Sequence, residues 1–369
     1  MTRRHLLASA LIVAGCGRKK GSGFPGYAFV ANDEARAVAA VDLTAFAVAR
    51  HIRLDAAPTA VVAHPTERAV YVLTPASGQI HEIDAASLTV RRSVRVAQTA
   101  HSVRLSPSKA ELWVACSNPR QLVRISLDAM RPDGAVPLPD DPFDFDIAPD
   151  GKHAAVTFGA AGSLAMIDLE SRTSRSYAEG RNLERVRFRS DGRAILAGDV
   201  GTRALAILDA PTGRTVVNLP LAVRPDNFCV KGDGGQLFIT GEGMDAVVFV
   251  YPYNTEVAET VLAGRAPGAM AECLTPDVNY LLVANPEAGD VSVVEIETRR
   301  VIAVAAVGRG PACIGMTPDQ QYALVLNRLS GDIAVIRIAA IAATRAKSAP
   351  LFTMIPVGSG PVSVAVRGV

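Results

Sequence analysis

Past residue 27, short runs of alternating apolar and polar residues recur along the chain, separated by turn signals. A strand-like run ends at a proline-containing or Asp-Gly-type turn in seven segments: AHPTER, LSPSKA, IAPDGK, FRSDGR, VKGDGG, LTPDVN and MTPDQQ. With anchors at positions 65, 107, 149, 190, 232, 276 and 318, the spacings are 42, 42, 41, 42, 44 and 42 residues. So regular a period indicates a repeat architecture.

Each repeat unit has the same internal order. The clearest copy runs from Glu272 to Pro311: an alternating strand, a turn, a second strand, a polar loop, a third strand with an acidic end, and a fourth strand. Strands of about five residues joined by tight turns are typical of antiparallel hairpins. Four such strands in about 40 residues predict one blade of an all-β propeller.

The two ends of the chain predict how the ring closes. Residues 27–57 supply only the second, third and fourth strands of a blade, and Val362–Val366 match the missing first strand. We therefore expect one β-propeller over residues 27–369, with eight four-stranded blades, closed by pairing of its terminal segments. Seven blades are the alternative, because the last unit carries an Ala-rich insert from Ile338 to Ser348 that is predicted to be a short helix.

The first sixteen residues, MTRRHLLASALIVAGC, have the layout of an export signal. Two arginines precede an apolar run from Leu6 to Ala14, which is too short to span a bilayer stably. The segment Val13-Ala14-Gly15-Cys16 resembles the lipobox of bacterial lipoproteins. The resemblance implies cleavage after residue 15 and acylation of the Cys16 thiol, which would anchor the protein in a membrane.

Residues 1–15 are therefore predicted to be a signal peptide, and residues 16–26 a lipidated cysteine with a Gly-rich flexible tether. Arg3 and Arg4 resemble a twin-arginine export signal, and a general secretory signal is the alternative. No Asp follows the cysteine to indicate retention at the inner membrane. We expect an exported protein on the periplasmic face of the outer membrane or at the cell surface.

The unit Tyr-Val-x-Asn, a Ser/Gly loop and a Val-Ser-Val-Ile-Asp-like strand resemble the YVTN-repeat family of prokaryotic β-propellers. The clearest copies are residues 27–32 (YAFVAN), 70–73 (VYVL) with 83–84 (ID), and 282–285 (LVAN) with 291–295 (VSVVE). Members are exported or surface proteins. Related propellers include lactonases and the haem-binding domain of dissimilatory nitrite reductase. No set of residues in this chain matches either related active site position by position.

Composition and charge narrow the class of partner. The chain has 38 basic and 36 acidic residues and a formal net charge of +2, so no overall field favours nucleic acid. The cysteines after Cys16 lack metal-ligand spacing. Cys229 and Cys273 occupy nearly the same register in neighbouring units, and buried thiols are favoured there over a disulfide. We expect a monomer.

Loops around the central channel, at one end of a propeller, are where ligands usually bind. Some of these loops lead into the first strand of a unit, and four consecutive units carry an arginine there: Arg181, Arg224, Arg265 and Arg309. A guanidinium offers a permanently charged fork for carboxylate or phosphate, so these arginines are candidate contacts for a small anion. The alternative is that they pair with nearby carboxylates of Glu184, Asp226 or Glu272.

Two further residues are candidates at the channel mouth. His101 lies in a leading loop and is the best placed histidine for acid–base chemistry or contact with a haem. Asp144 belongs to a run of acidic residues at 140, 141, 144 and 146, and carboxylate oxygens suit Ca²⁺ or Mg²⁺. Only Asp144 and Asp146 share a strand face, so no metal site is predicted.

The sequence therefore favours a membrane-anchored binding or scaffold protein for a protein partner or a small anionic ligand, with no cofactor predicted. The alternative is a propeller enzyme, either a lactonase or a haem-dependent oxidoreductase of the nitrite reductase kind. No Gly-x-Ser-x-Gly elbow, Walker loop or His-Glu-x-x-His motif occurs, so no residue is assigned a catalytic role.

Overall fold

The computed structural model of the protein describes residues 23–178, 180–342 and 350–368. In this part of the chain, 32 β-strands form eight four-stranded antiparallel sheets, which are the blades of a β-propeller. Each blade runs from an inner first strand to an outer fourth strand. The predicted eight-bladed propeller is confirmed, and the seven-blade alternative is wrong. Cys16 and the signal before it lie outside the described residues.

Blades are numbered here by the chain order of their second strands. In blades 1 to 8 the first strands are β32 (Pro361–Gly368), β4 (Ala60–Ala63), β8 (Thr99–Leu105), β12 (Asp144–Ile147), β16 (Leu183–Phe188), β20 (Asn227–Val230), β24 (Met270–Leu274) and β28 (Pro311–Met316). The second strands are β1 (Gly26–Asn32), β5 (Ala69–Thr74), β9 (Glu111–Asn118), β13 (His153–Thr157), β17 (Ala194–Asp199), β21 (Leu237–Thr240), β25 (Asn279–Asn285) and β29 (Tyr322–Asn327).

The outer half of each blade follows the same order. The third strands are β2 (Ala37–Asp42), β6 (Gln79–Asp84), β10 (Arg120–Ser126), β14 (Ser163–Asp168), β18 (Ala204–Asp209), β22 (Ala246–Tyr251), β26 (Asp290–Glu295) and β30 (Asp332–Arg337). The fourth strands are β3 (Ala47–Arg53), β7 (Thr89–Arg95), β11 (Arg131–Pro137), β15 (Thr173–Ala178), β19 (Thr215–Pro220), β23 (Glu256–Leu262), β27 (Arg300–Ala306) and β31 (Leu351–Pro356).

Every blade is apolar on both faces, and its neighbours bury both of them. Successive residues of a strand point to opposite sides, so Ala28 and Val30 of β1 pack against blade 8 while Phe29 and Ala31 pack against blade 2. Eight hydrophobic clusters result in the described part of the chain, one at each interface between adjacent blades. Full burial of a side chain such as Phe29 contributes roughly 1.5–3 kcal/mol. No blade covers its own apolar faces, so the core exists only in the ring.

The two ends of the chain close the ring by pairing within blade 1. Strand β32 runs antiparallel to β1, with Val364 opposite Val30 and Val366 opposite Ala28. The predicted composite blade is confirmed, because the N-terminal segment supplies its outer three strands and the C-terminal segment its inner strand. Without β32 the edge of β1 would be open, and an open edge invites aggregation.

Short turns set the register within each blade. The Asp-Gly turns between first and second strands hold Gly151, Gly192 and Gly234 at φ values of 71°, 71° and 72°, which are left-handed and favour glycine. Where a third strand ends, its acidic residue accepts hydrogen bonds from the turn that follows. Asp84, for example, accepts them from the backbone N–H groups of Ala86 and Ser87. Such turns explain the acidic residue at this point of the repeat.

Helical structure is minor. α1 (Ile338–Ala342) lies in the last unit, inside the insert that was predicted to be a short helix. Among the described residues, no helix is long and apolar enough to cross a membrane.

The cysteines of the propeller are free thiols: Cys116, Cys229, Cys273 and Cys313. The favoured expectation of thiols at Cys229 and Cys273 is confirmed, and no disulfide joins them. Burial raises the pKa of both thiols to about 12, so neither is a thiolate at neutral pH.

Ending the chain after Gly360 tests the closure of the ring. The shortened protein lacks β32, so β1 loses its inner partner and the interfaces with blades 2 and 8 lose part of their cover. We expect the melting temperature to fall by about 5 °C or more, since each kcal/mol shifts it by about 1–2 °C in a chain of this size. Circular dichroism melts and size-exclusion chromatography measure the effect. A truncated chain that stays monomeric and melts like the parent would contradict the assignment.

Candidate functional site

One end of the ring, which we call the upper face, carries two sets of loops. One set leads into the first strands, and the other joins second strands to third strands. Both sets lie there because in an antiparallel blade the first strand begins where the second strand ends. The four predicted arginines are all exposed on the upper face, in the loops that lead into β16, β20, β24 and β28: Arg181, Arg224, Arg265 and Arg309.

Two of these arginines are paired with carboxylates. The Nε atom of Arg224 lies 2.6 Å from Asp226 Oδ1, and its Nη1 atom lies 3.1 Å from Glu242 Oε2. The Nη2 atom of Arg265 lies 3.4 Å from Glu287 Oε2. Local pairing therefore accounts for these two side chains, and the partner of Arg265 is Glu287.

The other two arginines have no carboxylate partner among the residues that the structure describes. The Arg309 backbone N–H donates to Ser330 Oγ at 3.1 Å, and its guanidinium donates from Nη2 to the Leu329 carbonyl at 3.5 Å. At Arg181 it is the backbone N–H that donates to Asp199, at 3.0 Å, and not the guanidinium. The guanidinium groups of Arg181 and Arg309 are therefore available to an external anion.

His101 lies at an irregularity in its strand. Ala100 pairs with Cys116 and Ser102 pairs with Ala115, so His101 is the extra residue of a β-bulge in β8. Bulges of this kind redirect a side chain and often lie beside functional sites. The imidazole is exposed on the innermost strand of blade 3, and the described residues give it no hydrogen-bond partner.

Two residues that the sequence did not single out lie on the next two blades after that of His101. Phe143, directly before β12 of blade 4, keeps 41% of its surface exposed. The Arg185 guanidinium of blade 5 lies 5.7 Å from the centroid of the Phe143 ring, which is a cation–π contact. Arg185 Nε also donates to the Asp226 carbonyl at 2.8 Å.

Arg185 also lies in a bulge. Leu183 pairs with Asp199 and Val186 pairs with Ala197, so two residues of β16 stand opposite one residue of β17. His101, Phe143 and Arg185 therefore lie on three consecutive blades, and two of them are placed by bulges. We call these three residues the mouth cluster.

Below the mouth cluster, Asp144 joins three first strands. Its Oδ1 atom lies 3.1 Å from Arg104 Nη2 of β8, and its Oδ2 atom lies 2.9 Å from Arg187 Nη1 of β16. Asp146 lies 3.7 Å from Arg104 Nε and accepts a hydrogen bond from the Phe188 backbone. The predicted candidate Asp144 thus bridges two arginines of neighbouring blades.

The charges around Asp144 fix its ionisation. Burial by itself would raise the pKa of Asp144, but Arg104, Arg187 and Arg185 together hold it below its ordinary value. The carboxylate is therefore charged at neutral pH and satisfied by protein cations. In the described parts of the chain, no group of three or more His, Cys, Asp or Glu side chains could hold a metal ion.

Two buried oxygen atoms near the mouth lack a partner among the described residues. They are Oγ of Ser102, next to His101 in β8, and Oδ1 of Asn182, next to Arg181 before β16. Buried polar atoms are nearly always hydrogen-bonded, and each exception calls for an explanation. Because both atoms are buried, they are not exposed to a ligand in the channel.

Comparisons with known proteins show the fold and leave the activity open. No family model and no curated protein matches the sequence. Among solved structures, the chain is similar to the dihydro-haem d1 dehydrogenase NirN in complex with DHE, at 15% identity over 93% of this chain and 75% of that chain, with a TM-score of 0.75.

Two further solved structures resemble the chain. Hydrazine synthase of Kuenenia stuttgartiensis is 18% identical over 76% of this chain and 96% of that chain, with a TM-score of 0.61. A functionally unknown protein from Desulfotomaculum acetoxidans is 11% identical over 92% of this chain and 98% of that chain, with a TM-score of 0.63. At these identities the likeness establishes the β-propeller fold.

The bridging role of Asp144 predicts a large effect of its removal. Asp144→Asn removes a buried anion and leaves two half-buried guanidiniums without it, which costs about 3 kcal/mol of unfolding free energy, the lower end of the range for a broken buried ion pair. Because the pKa of Asp144 is lowered, the difference from the parent is full above about pH 4 and shrinks as the pH falls through that pKa. Urea unfolding at several pH values measures it.

Asp141→Asn is the matched control, because Asp141 pairs with Arg120 at the surface, where a salt bridge is worth about 0–1 kcal/mol. Equal losses for the two variants would show that Asp144 does not hold the blades together.

Proposed function

We propose that the protein is a membrane-anchored, extracytoplasmic binding protein that takes a small anionic ligand at the mouth of its channel. The observation that carries the proposal is the mouth cluster. It offers an imidazole with no partner among the described residues, an exposed aromatic ring and a guanidinium on three consecutive blades.

The chemistry of the mouth cluster selects a class of ligand. Arg185 and the unpaired Arg181 and Arg309 supply forked, permanently charged donors for carboxylate or phosphate groups. The exposed face of Phe143 favours a flat, partly apolar body. The ligand that fits best is therefore a flat molecule carrying carboxylates.

The support beneath the mouth makes the site rigid. Asp144 ties β8 and β16 to β12, so the strands that carry the mouth cluster are held together before any ligand arrives. A site that is already ordered loses less entropy on binding and binds more tightly.

A second candidate is a haem protein, and two observations favour it. The chain resembles NirN in complex with DHE over 93% of its length, and His101 is the exposed histidine on a first strand at the mouth. The residues fit a non-covalent haem: His101 would approach the iron, and Arg181, Arg185 or Arg309 would bind the carboxylates. A bound haem would supply one-electron chemistry. The sequence holds no C-x-x-C-H motif for covalent attachment.

The site can be tested by titration with iron-free protoporphyrin IX, a flat dicarboxylate, and with haemin, its ferric form. We expect saturable binding of protoporphyrin, and Arg185→Ala should weaken it about 10-fold or more, since a charge-assisted hydrogen bond is lost. Fluorescence reports protoporphyrin binding and absorbance reports haemin binding. If the second candidate is right, His101→Ala weakens haemin binding and leaves protoporphyrin binding unchanged.

Arg224→Ala is the control for this titration, because Arg224 lies on the same face but is already paired with Asp226 and Glu242. Its binding constants should match those of the parent. No saturable binding of either porphyrin, or equal weakening by Arg224→Ala and Arg185→Ala, would overturn the proposed site. Melting temperatures of all variants exclude loss of the fold.

The proposed address depends on Cys16. Acyl chains on this thiol would hold the protein on a membrane, since each buried CH₂ contributes about 0.8 kcal/mol. Cys16→Ser should therefore move the exported protein from the membrane fraction to the soluble periplasmic fraction. Cys313→Ser, which leaves the lipobox intact, should stay with the membrane. Continued membrane fractionation of Cys16→Ser would contradict the lipid anchor.

A further inference from the structure

Three hydrogen-bonded side chains in blade 2 join two exposed groups, Ser93 and Asp55, through the buried imidazole of His81. Ser93 Oγ lies 2.8 Å from His81 Nδ1, and His81 Nε2 lies 2.9 Å from Asp55 Oδ1. The order is hydroxyl, imidazole, carboxylate. A nucleophile within reach of a base that is itself oriented by a third group is the geometry of an activated serine.

Three separate elements place these groups. His81 of β6 stands directly opposite Ser93 of β7, so strand register brings the imidazole and the hydroxyl together. Asp55 lies in the segment between β3 and β4, and its second oxygen accepts a hydrogen bond from Gln79 Nε2 at 2.7 Å. The carboxylate is thereby held against the far side of the imidazole ring.

The protonation pattern suits a base. With Asp55 accepting from Nε2–H, the lone pair of Nδ1 faces the Ser93 hydroxyl and accepts its proton. Thr74 Oγ1, 3.1 Å from Nε2, lies on the same side of the ring as Asp55. Burial lowers the pKa of His81 more than Asp55 raises it, so the ring is neutral at pH 7.

The hydroxyl is accessible and its base is protected. His81 is buried, whereas Ser93 is exposed on the outermost strand of the blade, and Asp55 is exposed on the other side of the imidazole. Arg95 lies two residues further along β7, so its exposed side chain is on the same face as Ser93, where its Nε donates to the Ala97 carbonyl at 3.1 Å.

Comparison with blade 7 shows that the Ser93–His81–Asp55 arrangement adds to a hydrogen bond of the repeat. In blade 7, Asn285 takes the place of Thr74 and Ser292 that of His81, joined by a 2.9 Å hydrogen bond that staples the second strand to the third. The residue opposite Ser292 on the fourth strand is Val304, where blade 2 has Ser93. The hydrogen bond between the second and third strands needs only the residues that correspond to Thr74 and His81. Ser93 and Asp55 extend it to solvent.

We propose that Ser93 is a nucleophile that accepts acyl groups from small carboxylic esters, with His81 as its base. Ser93 Oγ attacks the ester carbon while its proton moves to His81 Nδ1. The bond to the leaving alcohol breaks, and that oxygen takes the proton from Nδ1. Water then attacks the acyl-serine, its proton passes through Nδ1 to Ser93 Oγ, and the acid leaves.

p-Nitrophenyl acetate tests this on the purified full-length protein. We expect a burst of about one equivalent of p-nitrophenolate per chain, with the acetyl group on the peptide containing Ser93 by mass spectrometry. Ser93→Ala should lose the burst and slow acylation about 100-fold or more. Asp55→Asn should lower the maximal acylation rate while leaving the half-saturating ester concentration unchanged, since Asp55 orients the ring and does not touch the ester.

Ser176→Ala is the matched control, because Ser176 is exposed on the fourth strand of blade 4 opposite Ala165, which has no base to offer. Its burst should equal that of the parent. Acetyl groups spread over other residues, or an unchanged burst in Ser93→Ala, would overturn the proposal and leave His81 a structural staple. Porphyrin binding at the mouth should be unaffected by Ser93→Ala, so the two proposals fail independently.

Discussion

The burial of both faces of every blade by its neighbours is the constraint on which the rest of the structure depends. Phe29 and Val30, adjacent in one strand, belong to two different interface clusters, and the same alternation recurs around the ring. Because each blade needs two neighbours, the ring has to close, and pairing of β32 with β1 closes it. Closure in turn fixes the first strands around the channel, so residues such as His101 and Arg185 are held in place by the whole core and not by their own loops.

Within that apolar ring, the buried carboxylate of Asp144 is paired with positively charged side chains. Asp144 brings Arg104 and Arg187 together from the two adjacent blades, and with Asp146 the two carboxylates balance the two guanidiniums. Burying these groups costs desolvation energy, and the pairing offsets it only while all three remain. The mouth above differs, because Arg181 and Arg309 are exposed there and have no carboxylate partner among the described residues. Arginines below the mouth therefore hold neighbouring blades together, and arginines at the mouth are open to anions.

The sequence predicted the repeat, the composite blade and the free thiols because these depend on local pattern and period. It also found the right face for the arginines. It could not separate Arg224 from Arg309, since pairing depends on loop contacts, and it offered Asp144 as a ligand although its partners lie about 40 residues away on other blades. Left-handed turns at Phe46, Leu88 and Arg172 carry no glycine signal, and the meeting of Ser93, His81 and Asp55 depends on register.

The scaffold is uniform, and the residues proposed to be functional lie where the repeat is interrupted. The interruptions are two bulges and one exposed aromatic residue at the mouth, and a histidine in place of a small residue in blade 2. The central claim is that the mouth cluster is the binding site. A crystal structure of the protein with protoporphyrin IX tests it most directly. The account predicts the ring system against Phe143 with a carboxylate on Arg185, and a porphyrin bound on any other surface would contradict it.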